Sequence, residues 1–172
     1  MTQQQLSTMK AEFDQAFRHI REDVPSSTTT LVPQNLFDPA IKMKRMGLYT
    51  ESSRGYIQIV NIVNAFTPNV AAAWVKVLAC GGDLDDALML CMYTIVQFTP
   101  NADAAGIHFQ MLVMRYYTYL SFLHNNDIRG LKQKLAEDSG NPSYSISDSE
   151  IDLLNEPDRM AYWKDIAKDL CK

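Results

Sequence analysis

Twice, at a spacing of 32 residues, the chain reads Phe-Thr-Pro-Asn, first at Phe66-Thr67-Pro68-Asn69 and again at Phe98-Thr99-Pro100-Asn101. A hydroxyl residue at N-cap followed by proline at N1 marks a helix start. Proline's fixed torsion suits the first turn, and its missing N–H would find no intrahelical partner there. The middle of the chain is therefore expected to be helical. Two copies of a four-residue match suggest paired helical hairpins rather than a stacked array, which needs about three units.

Gly81-Gly82-Asp83 lies between the two starts. Gly81 is expected in the left-handed position that closes one helix, with Asp83 capping the next, which runs toward Gln97. Asp85 and Asp86 then fall in a first turn, where they complement the helix dipole, a better reading than a metal site. Asp83-Leu84-Asp85-Asp86 lacks the central glycine and distal glutamate of a calcium loop. Residues 56–63 are β-branched enough for a strand but have no hairpin partner, which favours helix. Residues 100–124 carry Ile107, Met111, Leu112, Met114, Tyr117, Leu120 and Leu123 on most faces, so this helix is expected at the centre of a bundle. Helices over 128–137 and 157–170 complete it.

At the N-terminus, Leu6, Met9, Phe13, Phe17, Ile20 and Val24 recur at steps of three and four, opposite Lys10, Glu12, Asp14, Arg18 and Glu22. This is an amphipathic helix that ends at Pro25. Pro25, Pro33 and Pro39, with a run of Ser and Thr, predict an extended tether behind it. The expected architecture is all-α, a compact helical bundle in four parts. These are an amphipathic helix (1–24), an extended basic arm or linker (25–55), a helical core (56–137), and an acidic irregular segment with a C-terminal helix (138–172). Ser147 and Glu150 match a capping box within the last.

With 172 residues, 47% of them hydrophobic, the chain has enough apolar mass for one real core. A net charge of −4 and a pI near 5.3 exclude coating of nucleic acid by bulk charge, though not a local basic patch. An odd count of three cysteines (Cys80, Cys91, Cys171), two in apolar runs, predicts a reducing, cytoplasmic compartment, with a virion as a further setting. Residues 1–5 are polar, unlike a secretory signal, and proline blocks the glycosylation motif at Asn141-Pro142-Ser143. Arg115 sits near the middle of the most apolar stretch, 107–123, which predicts a core helix rather than a membrane span.

No catalytic signature is present. His19, His108 and His124 are far apart, and none of the metalloprotease, nucleophile-elbow, phosphate-loop or dinucleotide motifs occurs. The Glu-x-x-His pairs of carboxylate metal bundles are missing as well. The expectation is therefore a protein with no enzymatic activity, cofactor or metal.

Charge is more informative. Residues 137–158 hold seven acids (Glu137, Asp138, Asp148, Glu150, Asp152, Glu156, Asp158) and no Lys or Arg, whereas Lys42, Lys44, Arg45 and Arg54 cluster against Glu51. A solvated basic turn is the plainest reading. With Tyr49 and Tyr56 nearby and Arg115 as a remote member, the same cations and rings could hold single-stranded RNA. The basic segment of one subunit could also meet the acidic segment of the next. Met43, Met46, Met89, Met92, Met111, Met114 and Met160 read mainly as core filling, with an exposed groove for a partner helix as the sharper option. Trp74 and Trp163 read as core anchors.

The reading that joins these features is a non-enzymatic self-assembling structural protein, such as a viral nucleocapsid or matrix-type subunit. Its homo-oligomer interface is expected at Leu6, Met9, Phe13, Phe17 and Ile20, reaching a neighbouring copy on the tether. Single-stranded RNA binding and a helical adaptor for a cellular protein are the alternatives.

Overall fold

A computed structural model of the chain describes residues 2–22, 31–98, 104–125 and 160–172. Among these, seven α-helices follow in order, with no strand ladder: α1 (Gln3–Glu22), α2 (Asp38–Arg45), α3 (Tyr49–Val63), α4 (Pro68–Cys80), α5 (Leu84–Phe98), α6 (Ala104–Asn125) and α7 (Met160–Leu170). A single 3-10 turn, Gln34–Phe37, leads into α2. The fold is an all-α bundle.

Glycines set two of the corners. Gly47 (φ +77°) follows α2, with Gly47 N–H donating to Lys44 O (2.9 Å) and Leu48 N–H to Met43 O (2.9 Å). Gly82 (φ +86°) follows α4, with the matching pair from Gly82 N–H to Ala79 O (3.1 Å) and Asp83 N–H to Leu78 O (2.9 Å). Both are Schellman ends, in which a left-handed residue lets two orphan carbonyls find donors. The left-handed residue is therefore Gly82, not Gly81 as expected. Gly81 stays right-handed (φ −76°), and a Cβ there would lie 3.1 Å from Tyr49 Cβ. Asp83 caps α5 through its side chain, accepting from Asp86 N–H at 3.4 Å.

Thr67-Pro68 opens α4 as anticipated, although the Thr67 hydroxyl does not cap the helix and donates instead to Asn69 Oδ1 at 2.8 Å. The second motif, beyond Phe98, lies outside the described residues. Its phenylalanine nonetheless meets the first, with Phe66 and Phe98 stacking at 5.7 Å.

Three expectations about placement need correction. The central helix is α4 rather than the one over 100–124. Val70, Ala71, Trp74 and Val75 of α4 are wholly buried, whereas α6 leaves Ile107 and Met111 at a solvent face. The reason is that α4 packs against α3, α5, α6 and α7 together.

Residues 25–55 are not an extended arm from residue 34 onward. Pro39 occupies the first turn of α2, where it costs no hydrogen bond, so the proline read as a breaker is a helix starter. Gly55 brings α3 close enough to α2 that a Cβ there would stand 3.1 Å from Ala40 Cβ.

Finally, the α1 stripe is covered by its own chain. Phe13 meets Trp74 edge-on at 5.5 Å, Phe17 meets Tyr93 at 5.3 Å, and the Ile20 carbonyl accepts from the Tyr93 hydroxyl at 3.1 Å. All three are buried. The side chains of Leu6 and Met9 lie outside the described residues, as do Val24 and the expected features at 128–137, Ser147, Glu150 and the acidic segment.

Candidate interaction surface

Along the 3-10 turn and α2, Phe37, Ala40 and Lys44 point inward, and the Ser52 hydroxyl donates to Ala40 O at 2.6 Å to tie α2 to α3. Leu36, Pro39, Met43 and Met46 follow at steps of three, four and three, and all four are exposed, Met46 by 63%. Across a shallow groove of about 180 Å³, lined also by Gly55, Ile59 and Val63, stands Ile62, 80% exposed. Lys42 and Arg45 flank the stripe and are exposed as well. The result is an apolar strip on two tightly packed helices, edged by cations.

The predicted nucleic-acid residues scatter. Lys44 is only 9% exposed, donating to Leu170 O at 2.8 Å and Lys172 O at 3.4 Å. Burial pulls its pKa down. Buried and turned onto the C-terminal carbonyls, it is not presented to a phosphate at the surface. Arg54 forms a two-pronged pair with Glu12 (2.7 and 3.1 Å), which raises its pKa and holds α3 to α1.

Tyr49 is half-buried, and Tyr56 is in the core, edge-on to Phe37 at 5.5 Å, with burial pushing its phenol up to about 12. Tyr56 therefore offers no free stacking face, whereas Tyr49 lines the hollow beside the start of α3. Lys42, Arg45 and Arg115 remain exposed, the last on α6. Of the methionines, Met43, Met46 and Met111 are exposed, and Met89, Met92 and Met114 pack partly against the core. Met160 and Trp163 side chains lie outside the described residues. Trp74 is the anchor expected of it, with its indole N–H donating to Ser53 Oγ at 2.8 Å.

Two larger hollows border α1. One, about 710 Å³, lies between the start of α1, the start of α3 and the α4–α5 turn, and its lining includes Thr8, Glu51, Arg54 and Asp83. The other, about 670 Å³, runs between α1 and α3 past Glu12, Arg18, His19, Arg54 and Gln58. The lining hydroxyl at Ser53 already accepts from Trp74, and neither hollow brings a histidine to a serine or cysteine. Among the described residues, no three His, Cys, Asp or Glu side chains gather as a metal site, and no helix is long and apolar enough to cross a membrane.

The chain matches no family model, no curated protein and no solved structure. The α2 strip was missed in the sequence because its residues were assigned to a linker. Its signal was present all the same, since Leu36, Pro39, Met43 and Met46 keep helical spacing.

Proposed function

We propose that the chain is a non-enzymatic, self-assembling structural protein, the kind of subunit that builds a nucleocapsid or matrix, and that a second copy docks on the α2 strip. The observation that carries this reading is the exposed row Leu36, Pro39, Met43 and Met46, whose Leu36–Pro39 end faces exposed Ile62 across the groove. Large apolar side chains exposed together on a rigid surface mark association sites, and each one fully buried contributes roughly 1.5–3 kcal/mol. Charge selects the occupant. Lys42 and Arg45 edge the strip, whereas the chain as a whole carries −4, with seven acids concentrated at 137–158. A second copy therefore presents the opposite sign to this face.

The assembly surface differs from the one the sequence suggested, because Phe13, Phe17 and Ile20 are already covered within their own chain. Single-stranded RNA binding keeps Lys42, Arg45 and Arg115, and three phosphate contacts would give a log–log salt slope of only about 2.

Light scattering on the full chain and on a Met46→Glu/Ile62→Glu variant tests the reading. The unaltered chain should form multiples of its 19.5 kDa mass with rising concentration, and the variant should stay at 19.5 kDa. Equal assembly by both, or a monomer throughout, would overturn it. An absorbance ratio at 260 and 280 nm on the same samples reports nucleic acid carried along.

A further inference from the structure

The C-terminal helix ends in a cluster that the assembly reading does not use. Leu170 O, one of the last-turn carbonyls without a partner in its own helix, accepts from Lys44 Nζ at 2.8 Å and from Cys80 Sγ at 2.9 Å. Cys80 stands at the end of α4, half-buried, and its 2.9 Å contact with Leu170 O sets its thiol one residue away from Cys171, which is exposed. α7 is further fastened by Tyr116, whose hydroxyl donates to Asp169, and by Lys76, 3.8 Å from the same carboxylate. Two thiols from residues 91 apart in sequence are thus held together where the last helix meets the body.

We propose that Cys80 and Cys171 are a redox-modified pair that closes to a reversible intrachain disulfide when the protein meets hydrogen peroxide. Exposed Cys171 reacts first. Its thiolate attacks the peroxide oxygen, the O–O bond breaks, and the leaving hydroxide takes a proton to become water, leaving Cys171 as a sulfenic acid. Cys80 sulfur then attacks the Cys171 sulfur. The S–S bond forms, the S–OH bond breaks, and the departing hydroxide takes the Cys80 proton as a second water. Two thiols are oxidised and one peroxide is reduced. A small thiol such as dithiothreitol reverses the bond by exchange.

The order of events follows from exposure. Burial, reinforced by its neighbour Cys171, pushes the Cys80 thiol up to about 12, which makes it the resolving partner rather than the first to react. Cys91 is wholly buried and takes no part. Because the bond would close a long loop, it should constrain the unfolded chain strongly and fix α7 to α4.

The test uses the full chain, with Cys171→Ser and Cys80→Ser variants, treated with hydrogen peroxide and then alkylated. Mass spectrometry should find an intrachain Cys80–Cys171 peptide pair with Cys91 still reduced. Thermal melting of the treated chain should rise by roughly 10 °C and return on adding dithiothreitol. Cys171→Ser, altered at an exposed position, should melt like the reduced chain and show no shift. The proposal fails if treated protein keeps an alkylatable Cys80 while Cys171 becomes a sulfinic acid or links two chains. It fails equally if Cys171→Ser shows the same thermal shift.

Discussion

Lys44 Nζ donates to the carbonyl oxygen of Leu170 at 2.8 Å, across 126 positions of sequence. A buried ammonium placed at a helix C-terminus both satisfies orphan carbonyls and meets the negative end of the dipole. Lys44→Ala should therefore loosen α7 first. The expected loss is about 1–3 kcal/mol, the usual penalty for leaving buried acceptors without a donor. Hydrogen exchange should quicken at residues 160–172 before it changes in α4. Unaltered protection of α7 would show that the contact contributes nothing. Any test of RNA binding should for the same reason alter Lys42 and Arg45 and leave Lys44 intact.

α1 belongs to the core of its own chain. Phe13 stacks on Phe17 at 5.8 Å and meets Trp74, so Phe13→Ala removes a ring from a closed aromatic cluster. Substitutions of that kind cost about 3–5 kcal/mol. Denaturant titration should show the loss. Deletion of residues 1–22 should lower stability further, because it uncovers Trp74 and Tyr93, rather than yield a stable smaller monomer. A truncated chain that melts at the temperature of the full one would contradict the packing.

The helical body was legible because its marks are local. Thr67-Pro68, the two glycines and Asp83 specify starts and stops within a few residues, and the α1 stripe repeats on one face. What those marks could not reveal is which distant group each polar side chain meets. Lys44 and Arg45 are adjacent and chemically alike, yet one is buried against Leu170 and the other is exposed, a difference set by the angle at which α2 lies on the body. Pro39 misled for a related reason: proline both breaks helices and begins them, and only the packed partner, here Gly55 against Ala40, decides between the two. The same ambiguity concealed the α2 strip, and it made an amphipathic α1 look available to a neighbour.

Asn69 offers a sharper test of how residues 31–33 are held. Its side chain donates to Val32 O at 2.8 Å and accepts from Val32 N–H at 3.3 Å, from Thr67 Oγ1 at 2.8 Å and from Val70 N–H at 3.1 Å. An amide can do this because it carries a donor and an acceptor at once. Asn69→Asp keeps the shape but turns the donor into an acceptor facing Val32 O. Asn69→Ala leaves both Val32 groups without this partner. Both changes should cost about 1–3 kcal/mol by denaturant titration. An Asp variant as stable as the parent would mean that the Val32 carbonyl is served by another donor.

Alkali should unfold this protein earlier than its neutral stability suggests. Burial raises Cys80 from its ordinary 9.0 to about 12 and Tyr56 from 10.0 to about 12, and it raises Cys91 and Tyr116 as well. Each group keeps its proton in the folded state over a range where the unfolded chain has lost it. Their contribution is thus complete below pH 9 and shrinks as pH climbs toward 12. Lys44 acts in the opposite sense. Its folded pKa lies below 10.5, so the unfolded chain holds that proton longer and this one group gains as pH rises. Two thiols and two phenols outweigh one amine. Urea midpoints taken with reductant present should be level from pH 7 to about 8.5 and then fall, by about 1.4 kcal/mol per pH unit for each proton retained on folding. Tyr56→Phe should leave the first part of the fall, which belongs to the cysteines, and flatten the part above pH 10. A midpoint that holds steady or rises up to pH 10 would mean that these groups reach water in the native protein.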